Sequence, residues 1–191
     1  MSKDQEILRE LAIQRKNLIE GMDNAVRAKL WRDINDLKVT RSPVCIYQVP
    51  WSEFSDREEL TLQCDDWFLK SIEEKLRRDI YQIEHFPGDM VFLNVIECPA
   101  VVYDSNFGLA NREEIIRSGH INSHHFLPVI NEPEDIFKMK EAVVIYNKEE
   151  TNRRLELLGN IFSGICQVKL VGKKGLWFTP WDYLIYRTGV T

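Results

Sequence analysis

The sequence lacks the long apolar runs that membrane insertion requires. No stretch approaches the ~20 apolar residues of a membrane-spanning helix, and the polar residues 1–6 contain no apolar secretory segment. From these two absences we expect a cytoplasmic protein with no membrane partner.

The chain also lacks an excess of positive charge. It carries 25 basic and 30 acidic residues, a net charge of -5, whereas capture of nucleic-acid phosphates needs clustered Lys and Arg. Short basic pairs such as Arg77-Arg78 are typical of solvated helix faces. We therefore expect no nucleic-acid partner.

Cysteines are few and widely spaced. No C-x-x-C pair occurs, so the sequence favours reduced, packed thiols over a disulfide framework; the four are Cys45, Cys64, Cys98 and Cys166. A metal site would require distant cysteines to converge, and we assign no metal ligands within the chain.

What is present suits one sizeable core. The chain has 191 residues, of which 44% are hydrophobic. Residues 1–40 are predicted to form an amino-terminal helical extension of two helices interrupted at Gly21, the first opened by a capping box of Ser2 and Gln5.

Residues 41–191 favour alternating strands and helices. The β-branched run Val44 to Val49 predicts a first strand, residues 65–86 a long amphipathic helix, and Val91 to Glu97 a second strand covered on both faces. Such a unit normally forms a right-handed parallel crossover.

Later segments are less regular. Residues 101–129 are predicted to be mostly loop, and two further helix starts carry Asn131 with Glu134 and Asn147 with Glu150. A short strand at 143–146 and another at 168–171 are also expected.

Four stretches carry a resemblance. The first is Leu-Trp-Arg-Asp-Ile-Asn-Asp-Leu-Lys at 30–38 with Thr-Arg-Ser-Pro-Val at 40–44, and the second is Glu-His-Phe-Pro-Gly-Asp-Met at 84–90. The third is Ser-His-His-Phe-Leu-Pro at 123–128, and the fourth is Trp-Phe-Thr-Pro-Trp-Asp-Tyr at 177–183. In this order they resemble the amino-terminal half of uroporphyrinogen decarboxylase-like proteins. That superfamily contains porphyrinogen decarboxylases and methyltransferases that serve corrinoid proteins.

The resemblance implies an α/β fold, a partial TIM (β/α)8-type barrel after a helical extension. A full barrel takes roughly 250 residues, and here a predicted strand and loop at 166–181 precede only ten residues. We therefore expect the amino-terminal portion of a barrel enzyme, inactive in isolation.

Two departures disfavour authentic porphyrinogen decarboxylation. The family's arginine-rich motif is not evident after Val44 to Tyr47, and Asn94 stands where the decarboxylases carry an aspartate. A neutral amide cannot stabilise a developing cation as a carboxylate does. The resemblance therefore points to the corrinoid and methyltransferase-related branch, whose zinc ligands would lie beyond Thr191. Zinc and a corrinoid are thus cofactors expected of the complete enzyme, and a small-molecule or corrinoid-type substrate is implied.

Candidate site residues follow from position. Glu97 and Asn94 lie near the end of the second predicted strand, where barrel active sites form, and are the catalytic candidates, against a structural salt bridge for Glu97. The proposed substrate-binding residues, for which ordinary packing is the alternative, are His124, His125, Trp177 and Trp181. Neighbouring His124 and His125 would point to opposite faces of a strand.

Two further hypotheses stand beside the enzyme. One is a half-barrel binding or assembly module that needs a complementing carboxyl-terminal half or a second copy, because an open parallel edge exposes unpaired backbone groups. The other is a non-catalytic remnant.

Overall fold

The computed structural model describes residues 1–86, 88–118, 121–172 and 179–189, and its chain divides into two compact units. Unit 1 comprises Met1–Glu97 and Glu156–Lys169, and unit 2 comprises Cys98–Leu155 and Leu170–Thr191.

Helices dominate unit 1. They are α1 (Lys3–Glu20), α2 (Asn24–Asn35) and α3 (Trp67–His85), with 3-10 turns at Trp51–Phe54 and Glu58–Leu60. The predicted capping box is confirmed, because Ser2 and Gln5 each accept a hydrogen bond from the other's backbone amide. The predicted break at Gly21 is confirmed as well, since Gly21 ends α1.

The predicted long helix is confirmed as α3. The Asp66 carboxylate accepts hydrogen bonds from the amides of Phe68 and Leu69, both at 2.9 Å, which satisfies donors that a helix start leaves unpaired. The buried face of α3 packs against α1. The core of unit 1 is formed mainly by Leu8, Leu11, Ala12, Ile19, Phe68, Leu69, Ile72, Leu76, Ile80, Leu158, Ile161 and Phe162.

Three two-stranded sheets are present among the described residues. The strands are β1 (Val95–Pro99), β2 (Val102–Asp104), β3 (Arg112–Ser118), β4 (Ile121–Leu127), β5 (Val144–Tyr146) and β6 (Gln167–Val171). The remaining helices are α4 (Lys148–Ile161) and α5 (Pro180–Thr188), with 3-10 turns at Asn106–Gly108 and Pro133–Lys138.

The β1–β6 pair is parallel. At the amino-terminal ends the Gln167 amide donates to the Asn94 carbonyl at 3.3 Å, and at the carboxyl ends the Ala100 amide donates to the Val171 carbonyl at 2.8 Å. Since like ends bond to like ends, the two strands run in the same direction. Helix α4 precedes β6, as a crossover helix does in an α/β unit.

The other two pairs are antiparallel. Strand β2 pairs with β5, with Val102 opposite Tyr146, and β3 pairs with β4 from Arg112 opposite Leu127 to Ser118 opposite Ile121. The prediction that residues 101–129 are mostly loop was wrong, because three strands lie there. Pairing between strands of the same chain stabilises these segments, whose own sequences gave only a weak signal for strand formation.

The predicted first strand was also wrong. Residues 44–49 are not a strand in the described structure. Both backbone polar groups of Val44 bond to Asp89, and the Ile46 carbonyl accepts from the Gln82 side chain at 2.6 Å. Residue propensity favoured a strand here, but a strand forms only where another strand supplies a ladder.

The second predicted strand is confirmed in part, because β1 begins at Val95 and ends at Pro99. Its burial alternates, with Ile96 and Cys98 buried, so one face is covered and not both as predicted. The strand predicted at 168–171 is confirmed as β6, and that at 143–146 as β5.

The two later helix starts differ in outcome. The Asn147 side chain accepts from the Glu150 amide at 3.0 Å and opens α4 as predicted. At the other start a 3-10 turn forms at Pro133–Lys138 in place of an α-helix, and the Asp135 carboxylate accepts from the amides of Asn131 and Glu132.

The architecture is thus a mixture of helices and small sheets, with no closed barrel among the described residues. None of the described helices has the length and apolar character needed to cross a membrane.

Candidate functional site

Two cavities of unit 1 share one wall, formed by Val91 and Phe92. The first, called here the apolar cavity, measures about 560 Å³ and is lined by Ala28, Trp31, Arg32, Cys45, Ile46, Tyr47, Gln82, Met90, Val91 and Phe92. The second, called the cationic cavity, measures about 460 Å³ and is lined by Arg15, Lys75, Val91, Phe92, Leu93, Val95, Glu97, Gln167 and Lys169.

The parallel strand pair supplies one wall of the cationic cavity. Val95 and Glu97 alternate along β1, and Gln167 and Lys169 alternate along β6, so each pair of side chains leaves its strand on one face. Arg15 from α1 and Lys75 from α3 also line the cavity. Its lining therefore holds three cations and one carboxylate.

Arg15 is the most buried of the three cations, with 5% of its surface exposed. Its Nε donates to Asp79 Oδ2 at 2.8 Å and its Nη2 donates to the Leu93 carbonyl at 3.0 Å. Burial raises the pKa of Asp79 and outweighs the opposing effect of the nearby Arg15 guanidinium. A guanidinium stays protonated in proteins, so Arg15 is a permanent positive charge in the lining.

Of the two catalytic candidates, the structure places Glu97 in this cavity, where its Oε2 lies 3.2 Å from Lys75 Nζ. Asn94 is not among the residues described as lining it. The Asn94 side-chain nitrogen donates to the Ile165 carbonyl at 2.9 Å, while its Oδ1 is buried with no hydrogen-bond partner among the described residues. The geometry gives Glu97 access to a ligand and gives Asn94 a structural contact.

The apolar cavity is built on a cluster around Asp89. The Asp89 carboxylate accepts two hydrogen bonds from the Arg41 guanidinium, at 2.8 and 2.5 Å, and one from the Val44 amide at 2.8 Å. These contacts, above all the one with Arg41, hold the pKa of Asp89 well below its usual range. The Trp31 indole donates to the Asp89 carbonyl at 2.7 Å. The cluster thus joins residues 30–44 to residues 84–90, two of the stretches that carry the family resemblance.

Gly88 allows the two chain segments of this cluster to approach each other closely. A Cβ atom at Gly88 would lie 2.9 Å from the Val44 carbonyl oxygen, closer than side chains approach backbone. The residue therefore has to be glycine for the segments 40–44 and 84–90 to meet.

The predicted ligand-binding residues that are described lie in unit 2. His124 Nδ1 is 3.0 Å from Glu113 Oε2, and His125 is paired across the hairpin with Glu114. Trp181 is 71% exposed on α5. None of these lines a described cavity. Trp177 lies outside the described residues.

The cations of the cavity were missed in the sequence, although one signal was present. Arg15 follows Leu11 by four residues and precedes Ile19 by four, so it occupies a position on the apolar stripe of α1. A charge in such a position indicates either a buried ion pair or a site. Lys75 and Lys169 gave no such signal, because their place depends on how α3 and β6 pack.

Metal and thiol chemistry have little support in the described part of the chain. No group of three or more His, Cys, Asp or Glu residues there could hold a metal ion. We therefore derive no step that involves zinc. All four cysteines are free. Burial raises the pKa of Cys64 to about 12, with the Glu73 carboxylate adding to the effect.

Comparisons with known proteins add no family. No family model matches the chain, and neither curated proteins nor solved structures give a significant match.

Proposed function

We propose that unit 1 binds an amphipathic small molecule that has a flat apolar body and acidic substituents. In the complete protein this would be the substrate or corrinoid-type ligand of a uroporphyrinogen decarboxylase-like barrel enzyme of the methyltransferase-related branch. The proposal includes a cytoplasmic location, a partial TIM-type barrel as the parent fold, and neither nucleic acid nor membrane as a partner.

One observation carries the proposal: an apolar cavity and a cationic cavity share the lining residues Val91 and Phe92. Each has a volume typical of small-molecule sites. Trp31 and Phe92 offer apolar surface to a ring, while Lys75 and Lys169 offer charge to carboxylates.

The four stretches of resemblance support the choice of tetrapyrrole-like ligands, since the superfamily handles porphyrinogens and corrinoids. A whole macrocycle is larger than the cationic cavity, which would accommodate one edge with its acidic substituents. We retain Glu97 as the candidate for proton transfer, oriented by Lys75. Asn94, bonded to the Ile165 carbonyl, cannot replace the decarboxylases' aspartate. Decarboxylation of porphyrinogens is therefore not part of the proposal.

A binding titration tests this function. Coproporphyrin, a porphyrin tetracarboxylate, and hydroxocobalamin are each added to the 191-residue chain, and ligand absorption and tryptophan fluorescence are followed. We expect saturable binding of at least one probe. Lys169→Gln and Lys75→Gln should each raise the Kd by about threefold to tenfold through loss of a charge contact.

Lys3→Gln is the matched control, because Lys3 begins α1 and lines neither cavity. Equal affinities of all four proteins, or binding that never saturates, would exclude the cavities as the site. Independently of affinity, we expect neither methyl transfer nor decarboxylation by the isolated chain.

A second candidate function is the half-barrel assembly module, and the β2–β5 sheet favours it. This sheet has two strands, and all six of its residues are exposed, five of them apolar or aromatic: Val102, Tyr103, Val144, Ile145 and Tyr146. An exposed apolar strand edge can pair with another chain.

The partner would be a second copy or a complementing carboxyl-terminal half. Light scattering during size-exclusion chromatography should then show a dimer that dissociates in the Ile145→Lys variant. A monomer at all concentrations, with no shift when the complementing half is added, would count against assembly.

A further inference from the structure

We propose that unit 2 contains an anion site that binds a small molecule bearing a carboxylate or phosphate group. The site is a cavity of about 320 Å³, lined by Gly108, Leu109, Ala110, Arg112, Pro128, Val129, Asn131 and Lys138. It is independent of the cavities in unit 1 and of the function proposed for them.

The charge of the lining is one-sided. Two of the described lining residues, Arg112 and Lys138, are cations, and none is a carboxylate. Lys138 Nζ lies 2.7 Å from Asp135, whereas Arg112 has no ion-pair partner among the described residues. Asn131 adds a side-chain amide that can donate a hydrogen bond. These are the groups that recognise an oxyanion.

Arg187 supplies the second, separate observation. It is 7% exposed, and its Nε is buried with no hydrogen-bond partner among the described residues. Its Nη1 donates to the Tyr183 carbonyl at 2.9 Å and its Nη2 to Asn106 Oδ1 at 2.5 Å. No described carboxylate forms an ion pair with it, although a buried charge is costly without a counter-charge.

Arg187 also connects the walls of the cavity. Its carbonyl accepts hydrogen bonds from the amides of Val129 and Ile130, at 2.8 and 2.9 Å, and Val129 lines the cavity. Its guanidinium holds Asn106, which lies two residues before the lining residue Gly108. The residue therefore positions two wall segments, while its charge faces neutral oxygens and the rings of Phe107 and Tyr183 and no described carboxylate.

The wall at residues 106–108 is conformationally strained. Asn106 and Phe107 have φ values of 48° and 59°, and Gly108 follows at 71°. Left-handed angles at two consecutive non-glycine residues cost free energy and persist only where neighbours enforce them. Here the Arg187 bond to Asn106 and the Lys140 amide bond to the Phe107 carbonyl, at 2.8 Å, enforce them. Strain of this kind is concentrated at binding sites.

Together these features assign roles. Arg112 contacts the anion directly, and Lys138 and Asn131 complete the contact. Arg187, which does not itself line the cavity, is a positioning residue behind its wall. The cavity volume lies at the lower end of small-molecule sites, so the ligand is a compact mono- or dianion.

The test uses the full chain with inorganic phosphate and with succinate as separate probes. Isothermal titration and thermal unfolding are measured at constant ionic strength, with sodium chloride as the reference salt. We expect at least one probe to bind and to raise the Tm, since a ligand that binds only the folded state stabilises it. A preference for phosphate or for succinate identifies which acid group the site takes.

Arg112→Gln should raise the Kd about tenfold or more by removing a charged hydrogen-bond donor. Lys148→Gln is the matched control, because this exposed lysine begins α4 and does not line the cavity. Arg187→Lys should weaken binding while circular dichroism stays unchanged. If that variant fails to fold, the exposed Arg112 still decides the question. No binding of either probe beyond the chloride reference, or equal affinity in Arg112→Gln, would overturn the proposal.

Discussion

Two buried charges of unit 1, Glu73 and Arg15, have partners of opposite sign, and a third, Asp4, accepts from the backbone amides of Asp65 and Asp66. The buried arginine of unit 2 has no partner of opposite sign among the described residues. Glu73, with 0% exposure, accepts from Arg77 Nε at 2.8 Å and from the Cys64 amide at 2.8 Å. Arg15 is paired with Asp79. Arg187 is about as buried as Arg15, yet its described contacts are to neutral oxygens and aromatic rings.

The paired charges of Glu73 and Arg15 stabilise the fold of unit 1. The charge of Arg187 is, in our proposal, one that a bound anion would neutralise. Burial disfavours ionised Glu73, but the hydrogen bonds from Cys64, Arg77 and Gln63 outweigh burial and lower the pKa of the carboxyl. The group is thus a structural anion that anchors residues 63–64 to α3. Arg187 has only neutral oxygens and the rings of Phe107 and Tyr183 beside it among the described residues, so a bound anion would add the counter-charge that these contacts do not supply.

The largest effect should come from breaking a paired charge in unit 1. Glu73→Ala would leave the Arg77 guanidinium without its carboxylate and the amides of Gln63 and Cys64 without an acceptor, which typically costs about 3–5 kcal/mol. Urea unfolding followed by circular dichroism measures this loss in the free energy of unfolding. Glu74→Ala, the adjacent residue in an exposed pair with Arg78, should cost less than ~1 kcal/mol. Similar losses in the two variants would contradict a structural role for Glu73.

A matched pair of substitutions compares the two arginines directly. Arg15→Met leaves the Asp79 carboxylate without its cation and should cost about 3 kcal/mol. Arg187→Met leaves no described carboxylate unpaired and removes hydrogen bonds to Tyr183 and Asn106 only, so it should cost less, about 1–2 kcal/mol. Hydrogen exchange read by mass spectrometry localises each loss to its unit. If Arg187→Met proves the more costly of the two, Arg187 is a structural charge after all.

Lowering the pH should reveal how much the Glu73 carboxylate contributes to the free energy of unfolding. Because the pKa of Glu73 is lower in the folded state, its contribution is complete above the unfolded value, near 4.3, and is lost as pH falls through the folded value. Below about pH 4.3 we expect the free energy of unfolding to decline, and to decline less steeply in Glu73→Gln. Parallel pH profiles for the two proteins would refute the lowered pKa.

The smallest effect, the loss of a helix cap, should be of equal size in both units. Ser2 caps α1 in unit 1 and Asn147 caps α4 at its start in unit 2. Replacement of either by alanine should cost about 1 kcal/mol, the usual value for a lost cap. Unequal costs in Tm measurements would mean that the units differ in more than their buried charges.

Local signals in the sequence were sufficient for two of the three predicted capping boxes. Ser2 with Gln5 and Asn147 with Glu150 marked true helix starts, because a cap satisfies amides within three residues of itself. Asn131 with Glu134 did not, since a 3-10 turn forms there. The strand predicted at 44–49 failed for the opposite reason, since a strand requires a distant partner.

The sequence predicted one residue of the candidate site, Glu97, but not the side chains that surround it. Glu97 was placed near a strand end by sequence and lies in a cavity, but its neighbours Arg15, Lys75 and Lys169 come from three other elements. Asn94, the other catalytic candidate, instead donates its side-chain N–H to the Ile165 carbonyl.

By itself the sequence determined the starts of α1 and α4 with their capping residues and the apolar face of α3, all of which depend on residues within one or two turns of each other. Only the tertiary structure decided that β1 pairs in parallel with β6 and β2 antiparallel with β5, and that Asp89 joins residues 30–44 to residues 84–90. It alone decided, too, that Arg187 has no carboxylate partner in the part of the chain that is described. The physical reason is that strand ladders, cavities and ion pairs are formed by residues far apart in the chain. Their free energy depends on a geometry that no local pattern contains.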